Sequence, residues 1–238
     1  MKAMIFAAGM GTRLKPFTDK HPKALAKIHE KTLIQRNIEY LKSFGLSDLI
    51  INVHHFADQI ETFLKEHDNF GCTITISDER EELLETGGGL LKVKDNLQGM
   101  DSFLVMNADI LTNLNLESLI YAHNLADCLA TLAVTDRESS RYLLFNRQNE
   151  LCGWKNTKTG ETKIIRQEDE YIPKAFSGIH IINPKIFNLI RQSGKFSIID
   201  SYLDLCAEHS IKGFDHSCDI LIDVGKPEAI AKAEKLFS

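Results

Sequence analysis

The sequence of 238 residues lacks the features that several classes of protein require. Its cysteines are odd in number and widely spaced: Cys72, Cys128, Cys152, Cys206 and Cys218. No two of them form a Cys-x-x-Cys pair, so a disulfide framework and a zinc site are disfavoured, and a reducing compartment, the cytoplasm, is expected. No apolar run approaches the roughly 18 residues that span a bilayer. The apolar stretch after Met1 and Lys2 is too short for the core of a signal peptide.

An excess of basic residues is missing as well. Lys and Arg number 28 against 33 Asp and Glu, which gives a net charge of −5, and no block of five like charges occurs. Electrostatic binding to nucleic acid or to an acidic membrane is therefore disfavoured. With 43% hydrophobic and 26% charged residues, the composition is that of an ordinary globular protein. It excludes a disordered chain, a collagen-like chain and a coiled coil.

Apolar runs alternate with helical patterns over the first half of the chain. Strands are predicted at residues 2–7, 49–53, 72–77, 102–106 and 129–134. Helices are predicted at residues 33–44, ended by Gly45, and at residues 57–66. This order predicts an α/β fold of Rossmann-like type, with a mostly parallel sheet flanked by helices.

The pattern changes after about residue 140. A hairpin is predicted from residues 142–145 and 151–154, with further strands at 163–166 and 175–182 and helices near 184–191, 198–209 and 227–237. No linker, low-complexity segment or internal repeat separates the two halves. We expect a single domain over residues 1–238, whose second half adds a small β-rich elaboration over the strand ends.

Two glycines, Gly9 and Gly11, directly follow the first predicted strand. Parallel sheets bind ligands beyond the carboxyl ends of their strands, and glycine lets backbone N–H groups approach phosphate oxygens. The GxxxxGK[ST] string of a P-loop is absent, and Leu14 stands where a GxGxxG fingerprint needs its third glycine. Arg13 and Lys23 favour a loop that holds phosphates with its own cations. A plain strand-to-helix turn with solvated charges also fits the glycines alone.

Two aspartates each follow an apolar run. Asp109 comes after the predicted strand at residues 102–106, and Asp223 follows Leu221 and Ile222. Two carboxylates at strand ends can share one Mg²⁺, which prefers one or two carboxylates together with phosphate oxygens and waters. A turn residue or a helix N-cap is the alternative for each Asp taken alone.

Three further segments are candidates for ligand contact. Gly87 and Gly88 lie in a run of three glycines at a predicted helix start and allow close approach to a flat base, with a flexible turn as the alternative. Ser177 and Gly178 can offer a hydroxyl and close approach to a sugar, although an ordinary strand with a glycine kink fits them equally. Trp154, the only tryptophan, can stack on a sugar or belong to the core of the hairpin.

Residues 8–18 (AGMGTRLKPFT) and 22–25 (PKAL) resemble the signature of the sugar nucleotidyltransferases. These enzymes make nucleoside-diphosphate sugars from a nucleoside triphosphate and a sugar 1-phosphate. The resemblance extends over essentially the whole chain, although Ala8 stands where many members have a first glycine. It implies a GT-A-like fold in which about residues 1–140 bind the nucleotide and about residues 141–238 bind the sugar and end in a helix.

The resemblance also implies roles for individual residues. Arg13 and Lys23 are expected to be catalytic, and Asp109 and Asp223 to bind Mg²⁺. Contacts to the nucleotide are expected from Ala7, Ala8, Gly9, Gly11, Thr12, Gly87, Gly88 and Asn107, with Glu79 as a weaker candidate. Contacts to the sugar are expected from Glu85, Trp154, Ser177 and Gly178.

The expected reaction is attack of a sugar 1-phosphate oxygen on the α-phosphorus of a nucleoside triphosphate, which brings two anions together and so needs cations and a divalent metal. The LETGGG string at residues 84–89 and the FSGI segment at 176–179 most resemble the N-acetylmuramate 1-phosphate uridylyltransferases, with mannose-1-phosphate guanylyltransferases close behind. UTP and N-acetylmuramate 1-phosphate are therefore the expected substrates, nucleic acid and membrane are not expected partners, and a homodimer is left open. Two other classes remain as alternatives, a non-catalytic nucleotide-sugar sensor and an NAD(P)-binding oxidoreductase.

Overall fold

A computed structural model describes residues 1–237. The strands of this part of the chain are β1 (Ala3–Phe6), β2 (Lys27–Ile28), β3 (Lys31–Thr32), β4 (Asp48–Val53), β5 (Thr73–Asp78), β6 (Phe103–Asn107), β7 (Ile110–Thr112), β8 (Ala130–Thr135), β9 (Arg141–Phe145), β10 (Leu151–Asn156), β11 (Thr162–Ile164), β12 (Ile172–Ile182), β13 (Ile211–Asp215) and β14 (Leu221–Asp223). Its α-helices are α1 (Leu33–Ser43), α2 (Ala57–Glu66), α3 (Glu85–Lys92), α4 (Lys94–Leu97), α5 (Leu116–Leu125), α6 (Ile198–Leu205) and α7 (Pro227–Leu236).

Helix α1 shows how the local sequence sets the bounds of an element. The side chain of Thr32 caps the helix by accepting a hydrogen bond from the Gln35 N–H at 3.2 Å, which satisfies one of the free donors of the first turn. Gly45, with φ +76°, takes the left-handed conformation that ends the helix. The helix buries one apolar face, formed by Leu33, Ile34, Ile38 and Leu41.

The centre of the main sheet consists of parallel strands in the spatial order β6, β1, β4 and β5. Side chains alternate between its two faces, so that Ile5 packs with helices α1, α2 and α5 on one side. Met4, one residue earlier, packs with α3 and α6 on the other side. The predicted α/β fold, with a mostly parallel central sheet flanked by helices, is confirmed. Fully burying each such side chain stabilises the fold by about 1.5–3 kcal/mol.

Strand β12 connects the second half of the chain to this centre. It runs antiparallel to β6, β8 and β9, and the predicted hairpin continues the sheet as β9, β10 and β11. Both halves therefore contribute to one mixed sheet of ten strands.

Several short elements have no counterpart in the prediction. Strands β7 and β13 are two of them: β7 forms a separate antiparallel pair with β14, the strand expected from the apolar run before Asp223, and β13 joins β8 in parallel. Such short strands carry too few residues to show a period, and their partners lie far away in the chain. The helix predicted near residues 184–191 is a short 3₁₀ turn, Pro184–Asn188.

Candidate active site

A cleft of about 350 Å³ opens at the carboxyl ends of β1, β4 and β6. These strands end at one level, because Phe6 pairs with both Asn52 and Asn107 across the parallel ladders. The residues that line the cleft are Phe6, Ala7, Ala8, Gly9, Lys23, Ala24, Asn52, Leu83, Glu85, Thr86, Asn107, Ala108, Asp109 and Ser197. The predicted segments at residues 7–9, 23 and 107–109 thus meet at one edge of the sheet, where open α/β sheets bind their ligands.

Lys23 reaches across this cleft to Asp109. Its ammonium forms an ion pair with the Asp109 carboxylate, and the two side chains are 12% and 25% exposed. Gly11 makes room for this arrangement: a Cβ at that position, where φ is +60°, would lie 2.9 Å from Lys23 Cβ and 2.9 Å from Thr18 Cγ2. The second glycine of the loop therefore positions the lysine.

Asp223 lies beside Asp109 because β14 pairs with β7. Asp223 faces Ile110 in the antiparallel register, and the Val224 N–H donates a hydrogen bond to the Asp109 carbonyl at 2.8 Å. The Oδ1 atom of Asp223 is buried and has no hydrogen-bond partner within residues 1–237. A buried carboxylate oxygen without a partner is costly, which suits a ligand position.

Arg13 completes the group of charges. A Cβ at Gly225 would lie 2.6 Å from Arg13 Nη2 and 2.7 Å from Asp223 Oδ1. The guanidinium and this carboxylate therefore converge above a residue that has no side chain. The structure brings together all four charged residues predicted for the site, with the two carboxylates between the two cations.

The two aspartates suit a magnesium ion. Within the described part of the chain, no group of three or more His, Cys, Asp or Glu side chains is placed to hold a metal. Magnesium does not need such a cage, because it commonly takes one or two carboxylates and completes its shell with phosphate oxygens and waters. The buried, unpartnered Oδ1 of Asp223 and the adjacent Asp109 form a donor set of that kind.

A buried hydrogen-bond network supports the cleft from behind. The Oδ1 atom of Asn52 accepts from the Ala7 N–H at 2.7 Å and from the Ala8 N–H at 3.3 Å. The Asn52 amide then donates to Glu79 Oε1 at 2.8 Å, and Glu79 Oε2 accepts from the Leu84 N–H at 3.1 Å. This network ties the loop after β1 to the segment before α3.

The network changes the interpretation of Glu79 and brings in a residue that the sequence reasoning missed. Glu79 is 1% exposed and does not line the cleft, so its carboxylate acts on the protein rather than on a nucleotide. Asn52 lines the cleft instead. The sequence contains a signal for Asn52, because it is a polar residue at the end of an apolar strand. Asn107 has the same kind of position.

The glycines of α3 contact protein rather than an open cleft. A Cβ at Gly87 would lie 2.1 Å from the Phe196 ring, and one at Gly88 would lie 2.1 Å from the Gly194 carbonyl oxygen. Both glycines are buried, and the space on their Cβ side is filled by residues 194–196. The cleft wall here consists of Leu83, Glu85, Thr86 and Ser197.

The residues predicted for the sugar separate into three places. Glu85 lines the cleft, whereas Trp154 lines a second cavity of about 960 Å³ that also includes Arg13 and Asp223. Ser177 is 0% exposed, and its hydroxyl hydrogen-bonds to the buried His216 Nε2 at 2.7 Å. The Ser177 side chain therefore faces protein and lines neither cavity.

Gly178 and Thr12 also lie outside the linings of the cavities. Gly178 has φ +75°, and a Cβ there would lie 2.6 Å from Asn107 Nδ2. It therefore lets Asn107 settle at the end of β6 instead of approaching a sugar. Thr12 is exposed at the start of a 3₁₀ turn, Thr12–Leu14. No helix within residues 1–237 has the length and apolar character needed to cross a membrane.

The fold and the group of four charges define an α/β protein with a charged cleft at the carboxyl edge of its sheet. A family model described as nucleotidyl transferase matches residues 2–150. The chain belongs to this family, among the enzymes that join a nucleotide to a sugar 1-phosphate. The expectation of an enzyme is confirmed, which removes the sensor and the oxidoreductase as alternatives.

Two relatives illustrate the likeness in sequence. N-acetylmuramate alpha-1-phosphate uridylyltransferase of Caulobacter vibrioides is 32% identical over 240 residues, which cover 98% of this chain and 95% of that protein. Mannose-1-phosphate guanyltransferase of Yarrowia lipolytica is 30% identical over 244 residues, which cover all of this chain and 64% of that protein. The match to the second relative thus spans less than two thirds of its length.

Solved structures show the likeness in fold. HddC from Yersinia pseudotuberculosis, complexed with GMP-PN, has a TM-score of 0.79 at 23% identity and covers 100% of this chain and 99% of that chain. A UDP-glucose pyrophosphorylase complexed with UDP-glucose has a TM-score of 0.79 at 20% identity and covers 99% and 97%. The predicted GT-A-like nucleotidyltransferase fold is confirmed.

Proposed function

We propose that the protein transfers the uridylyl group of UTP to N-acetylmuramate 1-phosphate and releases pyrophosphate, with Mg²⁺ as its cofactor. The choice of substrates is supported by the similarity to the uridylyltransferase of Caulobacter vibrioides, which extends over nearly the full length of both chains. The choice of chemistry is carried by one observation: Lys23, Asp109, Asp223 and Arg13 converge at the rim of the cleft.

In the proposed reaction, an oxygen of the sugar 1-phosphate forms a bond to the α-phosphorus, and the bond between that phosphorus and the pyrophosphate oxygen breaks. No covalent intermediate on the protein is required, so the chain's contribution is positioning and electrostatic stabilisation. Lys23 offsets the charge that grows at the α-phosphate, and Arg13 binds the leaving pyrophosphate with its fork of donors. Asp109 and Asp223 would hold a magnesium ion, which would supply further positive charge to the phosphates.

The ion pair with Asp109 gives Lys23 a fixed starting position. A lysine on a free surface samples many rotamers, whereas this ammonium is held at the cleft wall by a carboxylate and by the packing against Gly11. A cation fixed before the substrate arrives loses less entropy on binding, which favours the transition state.

The test is an assay of pyrophosphate release in which four nucleoside triphosphates are crossed with N-acetylmuramate, N-acetylglucosamine, glucose and mannose 1-phosphates. Turnover should be fastest with UTP and N-acetylmuramate 1-phosphate and should stop when EDTA removes the metal. Absence of turnover with that pair, or turnover that persists in EDTA, would overturn the proposal.

A second candidate is the synthesis of a GDP-sugar from GTP and mannose 1-phosphate. It is favoured by the 30% identity to the guanyltransferase of Yarrowia lipolytica across the whole of this chain. The same assay separates the two candidates, since each names its own pair of substrates.

A further inference from the structure

The second cavity holds more positive charge than one phosphate needs. Its basic residues are Arg13, Arg137, Arg141, Lys158 and Lys226, and its acidic residues are Glu138 and Asp223. The chain as a whole has a net charge of −5. This local excess therefore runs against the average of the protein, and it marks the cavity as a place for an anion.

These cations also lack acidic partners in the described part of the chain. None of the five forms an ion pair within 4 Å among residues 1–237, whereas other basic residues of the same half do. Arg166 pairs with Glu150, Arg147 with Glu170, and Lys174 with two aspartates. The charges that surround the cavity are thus left available to a ligand.

The clearest evidence for a ligand in this cavity comes from Arg137. Its Nη2 donates a hydrogen bond to the Phe176 carbonyl at 3.0 Å, which fixes the guanidinium at the cavity wall. Its Nε is buried and has no acceptor within the described residues. Nearly all buried donors in folded proteins have an acceptor, so one without a partner in a cavity wall points to a ligand that supplies it.

The cations fall into two groups by the segments that carry them. The first group consists of Arg13, which lies beside Asp223 at the rim, and Lys226, which directly precedes α7. Arg137 and Arg141 lie in or beside the connection from β8 to β9, and Lys158 lies in the turn between β10 and β11. This second group shares the cavity with the aromatic rings of Tyr142, Trp154 and Phe176, which suit the apolar face of a sugar ring.

We infer that Arg137 is a specificity-determining residue that binds a carboxylate carried by the sugar, with Arg141 and Lys158 adding positive charge. In the 1-phosphate of an uncharged hexose, the phosphate is the only anionic group. We place that phosphate at the rim with Arg13. A sugar with a carboxylate gives Arg137 the acceptor it lacks, in the planar geometry that arginine binds best. The inference rests on the proposed function for the reaction of the sugar 1-phosphate. It adds that Arg137 selects the sugar by its carboxylate.

The experiment compares two pairs of ligands, and in each pair only one member carries a carboxylate on its sugar. One pair is N-acetylmuramate 1-phosphate and N-acetylglucosamine 1-phosphate; the other is glucuronate 1-phosphate and glucose 1-phosphate. Binding to the full chain is measured by calorimetry, and kcat/KM with UTP is measured in parallel. The variants are Arg137→Met, which removes the charge, and Arg137→Lys, which keeps the charge and loses the fork. Arg147→Met is the control, because Arg147 is exposed and pairs with Glu170 outside the cavity.

We expect the carboxylate member of at least one pair to bind the wild type about tenfold more tightly or better. Arg137→Met should abolish that advantage without weakening the neutral member, Arg137→Lys should keep part of it, and Arg147→Met should keep all of it. Equal binding within both pairs, or an equal loss for both members in Arg137→Met, would overturn the inference. Binding is read independently of turnover, so a carboxylate preference without pyrophosphate release would count against the proposed function alone.

Discussion

Asp109 and Asp223 are neighbours because two short strands, β7 and β14, pair in antiparallel register and the Val224 N–H binds the Asp109 carbonyl at 2.8 Å. One carboxylate is engaged by Lys23, and the other keeps a buried oxygen without a partner. This asymmetry makes the two residues separable by experiment.

Replacing Asp223 by Asn should weaken metal binding more than it weakens the fold. The change removes a negative ligand and leaves the β7–β14 ladder intact, so the Mg²⁺ concentration needed for half-maximal rate should rise and kcat should fall by roughly 10²-fold. Direct titration with Mn²⁺ by electron paramagnetic resonance checks binding without turnover. Asp169→Asn, at an exposed site, is the control, and an unchanged metal requirement in Asp223→Asn would argue against the assignment.

Replacing Lys23 by Ala should lower kcat by roughly 10²-fold or more, because a charge fixed near the α-phosphate acts mainly in the transition state. Steady-state kinetics and a thermal unfolding scan check the effect on rate and on stability. Lys65→Ala, an exposed residue of α2, is the matched control. A kcat near that of the wild type would remove Lys23 from the mechanism.

The close contact at Gly87 predicts a cost in stability for a very small change. An alanine methyl there would lie 2.1 Å from the Phe196 ring. Overpacking should lower the free energy of unfolding by about 1–3 kcal/mol, although alanine favours a helix by about 1 kcal/mol over glycine. Urea unfolding measures the difference, and Gly87→Ala combined with Phe196→Leu should recover part of it. Gly9→Ala is the control for stability, since a Cβ at Gly9 would meet no atom within 4 Å apart from those of its chain neighbours.

The Asn52 network predicts a second stability effect with a consequence for binding. Asn52→Ala removes the hydrogen-bond partner of the buried Glu79 Oε1 and that of two backbone donors, and this should cost about 1–3 kcal/mol. The loop at Ala7 and Ala8 should then loosen and raise KM for the nucleotide. Asn52→Asp tests whether the effect comes from hydrogen bonding, because it keeps the acceptor but faces Glu79 with a like charge. An Asn52→Ala variant as stable as the wild type would show that the network is dispensable.

Acid should destabilise the protein through a buried histidine. Burial lowers the pKa of His180 to about 3, well below the usual value of about 6.5 in an unfolded chain. The unfolded state therefore binds the proton first, and stability is full above pH 6.5 and falls as the pH drops toward 3, by about 1.4 kcal/mol per pH unit. The free energy of unfolding, measured with urea between pH 7 and pH 4, should depend less steeply on pH in His180→Gln than in the wild type. The difference in slope should correspond to the uptake of about one proton. Identical slopes in the two proteins would mean that His180 is not the group responsible.

The features of the structure that depend on residues close together in the chain could be predicted from the sequence. Helix α2 begins and ends where its apolar spacing indicated, at Ala57–Glu66. Asp109 and Asp223 stand at strand ends, as their apolar runs implied. These features are local, and local patterns are visible in a single sequence.

The remaining features depend on residues that are distant in sequence. Gly87 lacks a side chain, which leaves room for the Phe196 ring. The buried carboxylate of Glu79 accepts a hydrogen bond from Asn52. Likewise, Ser177 faces the protein interior, where its hydroxyl hydrogen-bonds to His216. Small and polar residues in a ligand site look the same in sequence as small and polar residues that serve packing, so only the tertiary arrangement separates them.

The pairing of β14 with β7 also has a consequence for how the protein is made. The strands that end at the cleft, β1, β4 and β6, all precede β14, which carries Asp223, so they leave the ribosome before it does. A nascent chain can thus form its cleft while it still lacks one of the two proposed ion-binding carboxylates. If both carboxylates hold the ion, as proposed, the docking of β14 onto β7 is the assembly step that prepares the protein for its chemistry.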